Sequence, residues 1–188
     1  MCSHYQLYSK AASFGADTTK GLIVGGGSAG ANATAIVHLA LDHQITVTRV
    51  HLSVPLLIHP KNVPEQYRAK WNAYEENKNA PMLSRESTVL LIKAYNPDPY
   101  NPLFSSLLWP TGHKAFPPTH FQICGLDPVR DDGLIFEEIL RNECNMKTKL
   151  DFYAGVPHAF EGGFPELEIS KKFVNDAVAG FGWLLANK

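Results

Sequence analysis

Three short segments of this chain carry residues that could do acyl-transfer chemistry, and they occur in the order serine, acid, histidine. The first is Leu22-Ile23-Val24-Gly25-Gly26-Gly27-Ser28-Ala29-Gly30-Ala31, where an apolar run breaks into glycines around one serine. Taken as Gly26-x-Ser28-x-Gly30, it is a nucleophile elbow, a sharp strand-to-helix turn that lifts a hydroxyl above an α/β sheet. The second is Gly125-Leu126-Asp127-Pro128-Val129-Arg130-Asp131-Asp132-Gly133, and the third is Gly155-Val156-Pro157-His158-Ala159-Phe160. A serine hydroxyl becomes a useful nucleophile only when a hydrogen-bonded histidine accepts its proton, and a carboxylate behind that histidine fixes the productive tautomer.

The same glycines also fit Gly25-x-Gly27-x-x-Gly30, a dinucleotide fingerprint. That reading requires an acidic residue near the end of the following strand to bind a ribose hydroxyl. Between His43 and Pro64 there is neither aspartate nor glutamate, and Asp42 precedes the strand instead of ending it. The elbow reading requires an acid and then a histidine, each in a loop after a strand, and Asp127 and His158 meet that requirement.

The elements that must position these groups follow from periodicity. Residues 21–25 read as a short buried strand, and Ala29–Asp42 carries apolar residues at helical spacing. Ile45–Val54 alternates β-branched and polar residues and stops at Pro55, as a strand does. From about 59 to 118 prolines and aromatics separate short helical patterns, Glu65–Asn77 and Arg85–Ala94, which reads as an irregular, lid-like insertion over one edge. Phe121–Gly125 is a strand, Leu134–Cys144 an amphipathic helix, Leu150–Ala154 a strand and Leu167–Leu185 a closing helix. The alternation predicts an α/β fold, a parallel sheet with helices on both faces in three layers, and one domain over 1–188.

With these motifs in place, the chain resembles the hormone-sensitive-lipase-like esterases, the fold-3 group of the α/β-hydrolase superfamily, from about Phe14 to the C-terminus. It is most similar to fungal members tied to secondary metabolism, such as the versiconal hemiacetal acetate esterases. The resemblance implies a serine carboxylesterase with a catalytic triad, acting on a small ester such as an acetylated polyketide intermediate, without cofactor or metal. It makes Ser28 the nucleophile, His158 the general base and later acid, and Asp127 the residue that orients the imidazole. The Ala29 N–H, directly after the nucleophile, would donate to the developing oxyanion.

The family also draws oxyanion donors from an earlier loop of His-Gly-Gly-Gly type. The residues ahead of Leu22 hold no such segment. By resemblance the chain corresponds to roughly the C-terminal two-thirds of a member, with about four of the customary eight strands. Each oxyanion donor is worth about 3 kcal/mol of transition-state stabilisation, so a weak esterase is expected, or an impaired remnant acting as a binding or oligomerising protein. The strand over 21–25 would lack a neighbour on one side, an edge open to pairing with a second copy.

Each motif also has a plainer structural role. Ser28 suits a helix N-cap, and Asp127 before Pro128 suits another. Asp131 and Asp132 suit the helix dipole. His51 and His59 flank a strand end without a third ligand of metal-binding spacing. Cys124 reads as a buried strand residue. Trp71, Tyr74, Trp109, Phe116 and Phe160 read as packing, with Phe160 also a candidate wall of an acyl pocket.

Composition narrows the partners. The 188 residues hold 17 Lys plus Arg against 18 Asp plus Glu, a formal net charge of -1, which gives no basic field for nucleic acid. Cys2, Cys124 and Cys144 are odd in number and widely spaced, which fits a reducing compartment better than a disulfide framework. No signal-like or membrane-spanning apolar run is present, so a cytoplasmic protein with a small-molecule ester as its partner is expected.

Overall fold

In a computed structural model, which describes residues 8–187, the chain forms one sheet of four parallel strands ordered β1-β2-β3-β4. These are β1 (Ile23–Gly27), β2 (Arg49–Ser53), β3 (Thr119–Leu126) and β4 (Thr148–Pro157). The helices are α1 (Ala33–Asp42), α2 (Glu65–Arg68), α3 (Ala73–Glu76), α4 (Arg85–Tyr95), α5 (Arg130–Glu138), α6 (Phe160–Gly163) and α7 (Glu168–Ala186).

Strand alternation divides the sheet into two differently furnished faces. Val50 and Leu52 of β2 and Phe121 and Ile123 of β3 join Ala33 and Val37 of α1 and Ile135 and Phe136 of α5 in the main apolar core. Full burial of each large side chain there is worth roughly 1.5–3 kcal/mol. Aromatic edges lock it, with Phe116 edge-on to Phe136 at 5.2 Å and Phe121 to Phe136 at 6.1 Å. The opposite face is covered by α7 and is largely polar. His51 and His120 share a hydrogen bond of 3.0 Å, His120 Nε2 meets Asp151 at 2.8 Å, and Gln122 donates to the Phe173 carbonyl at 2.8 Å. α7 approaches so closely that a Cβ on Gly180 would fall 1.9 Å from His120 Cε1.

Helices thus lie on both faces, as the alternation predicts, with several boundaries displaced for physical reasons. The predicted helix over 29–42 begins as a 3₁₀ turn, Ser28–Asn32, before α1. β2 starts only at Arg49, because pairing with β1 begins at Ile23 opposite Arg49 and Ile45 is drawn back to the Ala40 carbonyl at the end of α1. The predicted helix over 65–77 is two short ones, since the N–H groups of Asn72 and Ala73 donate to Asp131 instead of to their own helix. α5 starts at Arg130, four residues ahead of the expected Leu134, and ends in a π turn, Ile139–Glu143.

The segment over 59–118 does more than lie over an edge. Val63, Leu107 and Phe116 belong to the main core, and the Leu107 N–H donates to the Leu57 carbonyl at 3.1 Å. β1 has β2 as its one neighbour among the described residues. An apolar groove of about 730 Å³ runs along it past Leu22, Val24, Ile36 and Val47. Among the described residues no helix is long and apolar enough to cross a membrane.

Candidate active site

The serine reaches its position through a strained turn. β1 ends at Gly27, and Ser28 follows with φ +53, the left-handed region that costs an ordinary L-residue roughly 1–2 kcal/mol. The turn is tight because Gly26 has no side chain: a Cβ there would sit 2.0 Å from the Gly30 carbonyl oxygen. Gly30 meets no such restriction, with nothing within 4 Å of its own notional Cβ.

Asp127 follows the end of β3 and is fully buried. Its Oδ1 accepts from the Val129 N–H at 3.0 Å and its Oδ2 faces His158 Nδ1 at 2.7 Å. A carboxylate can only accept, so Nδ1 carries the proton and the Nε2 lone pair is left for another donor. That donor is the Ser28 hydroxyl, with Oγ 2.7 Å from Nε2. His158 follows the end of β4 and is itself 7 % exposed.

The histidine arrives by way of an irregularity in the sheet. Cys124 pairs with Tyr153 but Leu126 pairs with Pro157, so two steps on β3 match four on β4. Gly155, at φ +72, lies within the extra residues, and Ala159 beyond His158 is again left-handed at φ +50. Bulges of this kind re-aim the strand that carries them.

The three residues singled out for acyl chemistry therefore form one continuous hydrogen-bonded chain, Ser28 to His158 to Asp127, and Ala29 follows the serine as the second residue of the 3₁₀ turn. Such a chain can move a proton from a hydroxyl to an imidazole whose positive charge a buried carboxylate stabilises.

The other residues singled out take structural places, and Phe160 departs from its expected one. Asp131 and Asp132 do stand in the first turn of α5, but their carboxylates reach across the fold. Asp131 Oδ2 accepts from Asn72 N at 2.7 Å and Ala73 N at 2.6 Å. Asp132 accepts from Leu57 N, Ile58 N and Trp71 Nε1, and burial pushes its carboxyl up to about 7. Phe160, a candidate pocket wall, is 2 % exposed and enclosed by Tyr153 and Phe173, so it supports the histidine loop instead of offering a face to substrate. His51 and His59 go to separate partners, His120 and the Lys61 N–H. Among the described residues no group of three or more His, Cys, Asp or Glu is placed to hold a metal. Cys124 is buried, and burial with the nearby Asp127 charge pushes its thiol up to about 12, far from nucleophilic range. Cys2 lies outside the described residues.

One contributor was missed. Asn77 places its side-chain amide on the Gly125 and Asp127 carbonyls, at 3.2 and 3.0 Å. A lone asparagine amid Glu75-Glu76-Asn77-Lys78-Asn79 gives no local signal of that reach.

Known proteins share the sequence pattern and the fold of this chain. Residues 3–162 match the alpha/beta hydrolase fold family. An AB hydrolase superfamily protein of Schizosaccharomyces pombe is 40% identical over 176 residues, covering 92% of this chain and 52% of that protein. A versiconal hemiacetal acetate esterase of Dothistroma septosporum is 38% identical over 182 residues, covering 95% of this chain and 55% of that one. Among solved structures, a vibralactone cyclase superposes with a TM-score of 0.91 at 35% identity, over 96% of this chain and 54% of its own. The chain thus spans about half the length of the curated relatives it matches, less than the two-thirds expected from the motifs.

Proposed function

The chain belongs to the alpha/beta hydrolase fold family, and from that premise we propose that it hydrolyses small carboxylic esters through Ser28, His158 and Asp127. The observation that carries the reading is the pair of 2.7 Å contacts that link Ser28 Oγ to His158 Nε2 and His158 Nδ1 to Asp127 Oδ2. In the first half-reaction His158 takes the Ser28 proton as Oγ attacks the ester carbonyl, and the Ala29 N–H donates to the oxyanion. The imidazolium then returns that proton to the departing alcohol, leaving an acyl-serine. Water, deprotonated by the same imidazole, releases the acid and restores the hydroxyl.

The Dothistroma septosporum relative carries an acetate esterase name, which favours a short acyl group and a place in fungal secondary metabolism. A second reading rests on the 35% identical neighbour named a cyclase, and in it the acyl acceptor is a group of the substrate itself instead of water. The test compares the protein with Ser28→Ala on p-nitrophenyl acetate, p-nitrophenyl decanoate and p-nitrophenyl 6-hydroxyhexanoate, whose terminal hydroxyl can serve as an internal acyl acceptor, with mass analysis of products. Serine-dependent turnover that favours acetate supports the proposal. Equal rates for the two proteins refute it, and a product that has not gained water selects ring closure.

A further inference from the structure

The acid loop that presents Asp127 is gripped from outside by a helix of only four residues. α3 receives the Asp131 carboxylate at its N-terminal end, where Oδ2 accepts from Asn72 N and Ala73 N. Along its side, Glu76 meets Arg130 Nη2 at 2.8 Å, and Arg130 Nε donates to Asp131 Oδ1 at 2.8 Å. Directly after α3, the buried Asn77 amide donates to the carbonyls of Gly125 and Asp127, in the peptide groups Gly125–Leu126 and Asp127–Pro128.

From these contacts the geometry points to Asn77 as a positioning residue for Asp127, holding the backbone of the acid loop so that Oδ2 meets His158 Nδ1. The amide suits this task because two carbonyl oxygens need a donor with two N–H groups. Aspartate, nearly the same shape, would set carboxylate oxygens against those carbonyls and invert the contact. Because the Asp127 carbonyl is one of the two atoms held, a shift there turns its Cα–Cβ bond and carries the carboxylate with it. The role rests on the proposed hydrolytic reading, yet the Asp127–His158 bond can be observed without turnover.

The experiment uses Asn77→Ala, Asn77→Asp and Asn77→Ser, with circular dichroism to establish folding. The first readout is the downfield proton resonance of His158 Nδ1–H, assigned by its loss in His158→Ala. It is expected to weaken or move upfield in Asn77→Ala, to vanish in Asn77→Asp and to be partly retained in Asn77→Ser, which keeps one donor and serves if the other variants do not fold. The second readout is hydrolysis of p-nitrophenyl acetate, where Asn77→Ala is expected to lower kcat by roughly 10- to 100-fold with KM within about twofold. In an Asp127→Ala background the same change should cost less than about twofold, because the effect passes through Asp127. An unaltered His158 resonance in the folded variants overturns the assignment, as does an undiminished loss in the Asp127→Ala background. Absence of Ser28-dependent turnover counts against the esterase reading alone, since the resonance still decides the role of Asn77.

Discussion

Replacing Gly26 by alanine tests the elbow directly. The new Cβ would lie 2.0 Å from the Gly30 carbonyl oxygen and 2.4 Å from its carbon, about 1.4 Å inside the 3.4 Å at which ordinary contact begins. Both obstacles are backbone atoms, so no side-chain rotation relieves the clash. The turn must open, and the residue at its apex is Ser28, whose Oγ needs to stay near 2.7 Å from His158 Nε2. A misplacement of about 1 Å in a reacting group commonly costs on the order of 100-fold. The expected loss in kcat/KM on p-nitrophenyl acetate is therefore about 100-fold or more. Overpacking of this kind also removes about 1–3 kcal/mol of stability, which for a chain of this size lowers Tm by roughly 2–12 °C. Gly30→Ala is the internal control, because nothing lies within 4 Å of its Cβ position, and its activity should stay within about threefold of the parent. Equal losses in the two variants, or a Gly26→Ala protein with near-parental kcat/KM, would refute the argument.

Asp132→Ala leaves the N–H groups of Leu57, Ile58 and Trp71 without their acceptor, and at about 1–3 kcal/mol for each buried donor the loss should exceed about 3 kcal/mol by urea unfolding. Acidification should remove the contribution of the buried histidines, offset in part by Asp132, whose raised carboxyl takes up a proton in the folded state as pH falls below about 7. His51 is lowered to about 4 and His38 to about 3 by burial, with the neighbouring imidazoles His120 and His113 adding to the effect. Both folded values are depressed, so the unfolded chain takes up protons below 6.5 while the folded one does not. Their contribution is level above about pH 7 and is lost as pH falls from 6.5 toward 4, on the order of 3 kcal/mol for each group. His51→Gln should flatten that slope in unfolding free energies measured from pH 7 to 4.5, and an unchanged slope contradicts the assignment. Gly180→Ala drives a methyl into the His120 ring at 1.9 Å and should lower stability by about 1–3 kcal/mol in a thermal melt, whereas Gly182→Ala, with open space around it, should not.

Much of the site was legible in the sequence because its signals are local. Gly26-x-Ser28-x-Gly30 encodes a turn within five residues, and Asp127 and His158 each stand just beyond an apolar strand pattern. The segment over 65–77 misled for the opposite reason. Its apolar spacing suits one helix, but Asp131 competes for the N–H groups of Asn72 and Ala73 from far along the chain, and periodicity cannot register a distant acceptor. The polar layer beneath α7 was hidden in the same way. His51 looked like a histidine at a strand end, whereas sheet register sets it opposite His120, where the two imidazoles satisfy one another. Asn77 shows the limit most clearly, since its partners lie across the fold and nothing in its own neighbourhood distinguishes it.

The order of the strands explains why the acid is on β3 and why β4 must be irregular. Neighbouring strands lie about 4.8 Å apart, so β1 and β4, separated by β2 and β3, have axes roughly 14 Å from each other. Even so, Ser28 at the end of β1 and His158 beyond β4 come within 2.7 Å. Straight strands would leave the imidazole too far away, because a histidine side chain reaches only part of that span. The two extra residues between Tyr153 and Pro157, with Gly155 left-handed among them, give β4 the slack to turn back across the end of β3. A histidine returning along that path passes over the residue that follows β3, and Asp127 occupies that place. The carboxylate is thereby buried under the imidazole and bonded to Nδ1, which leaves Nε2 as the one nitrogen free to face the serine.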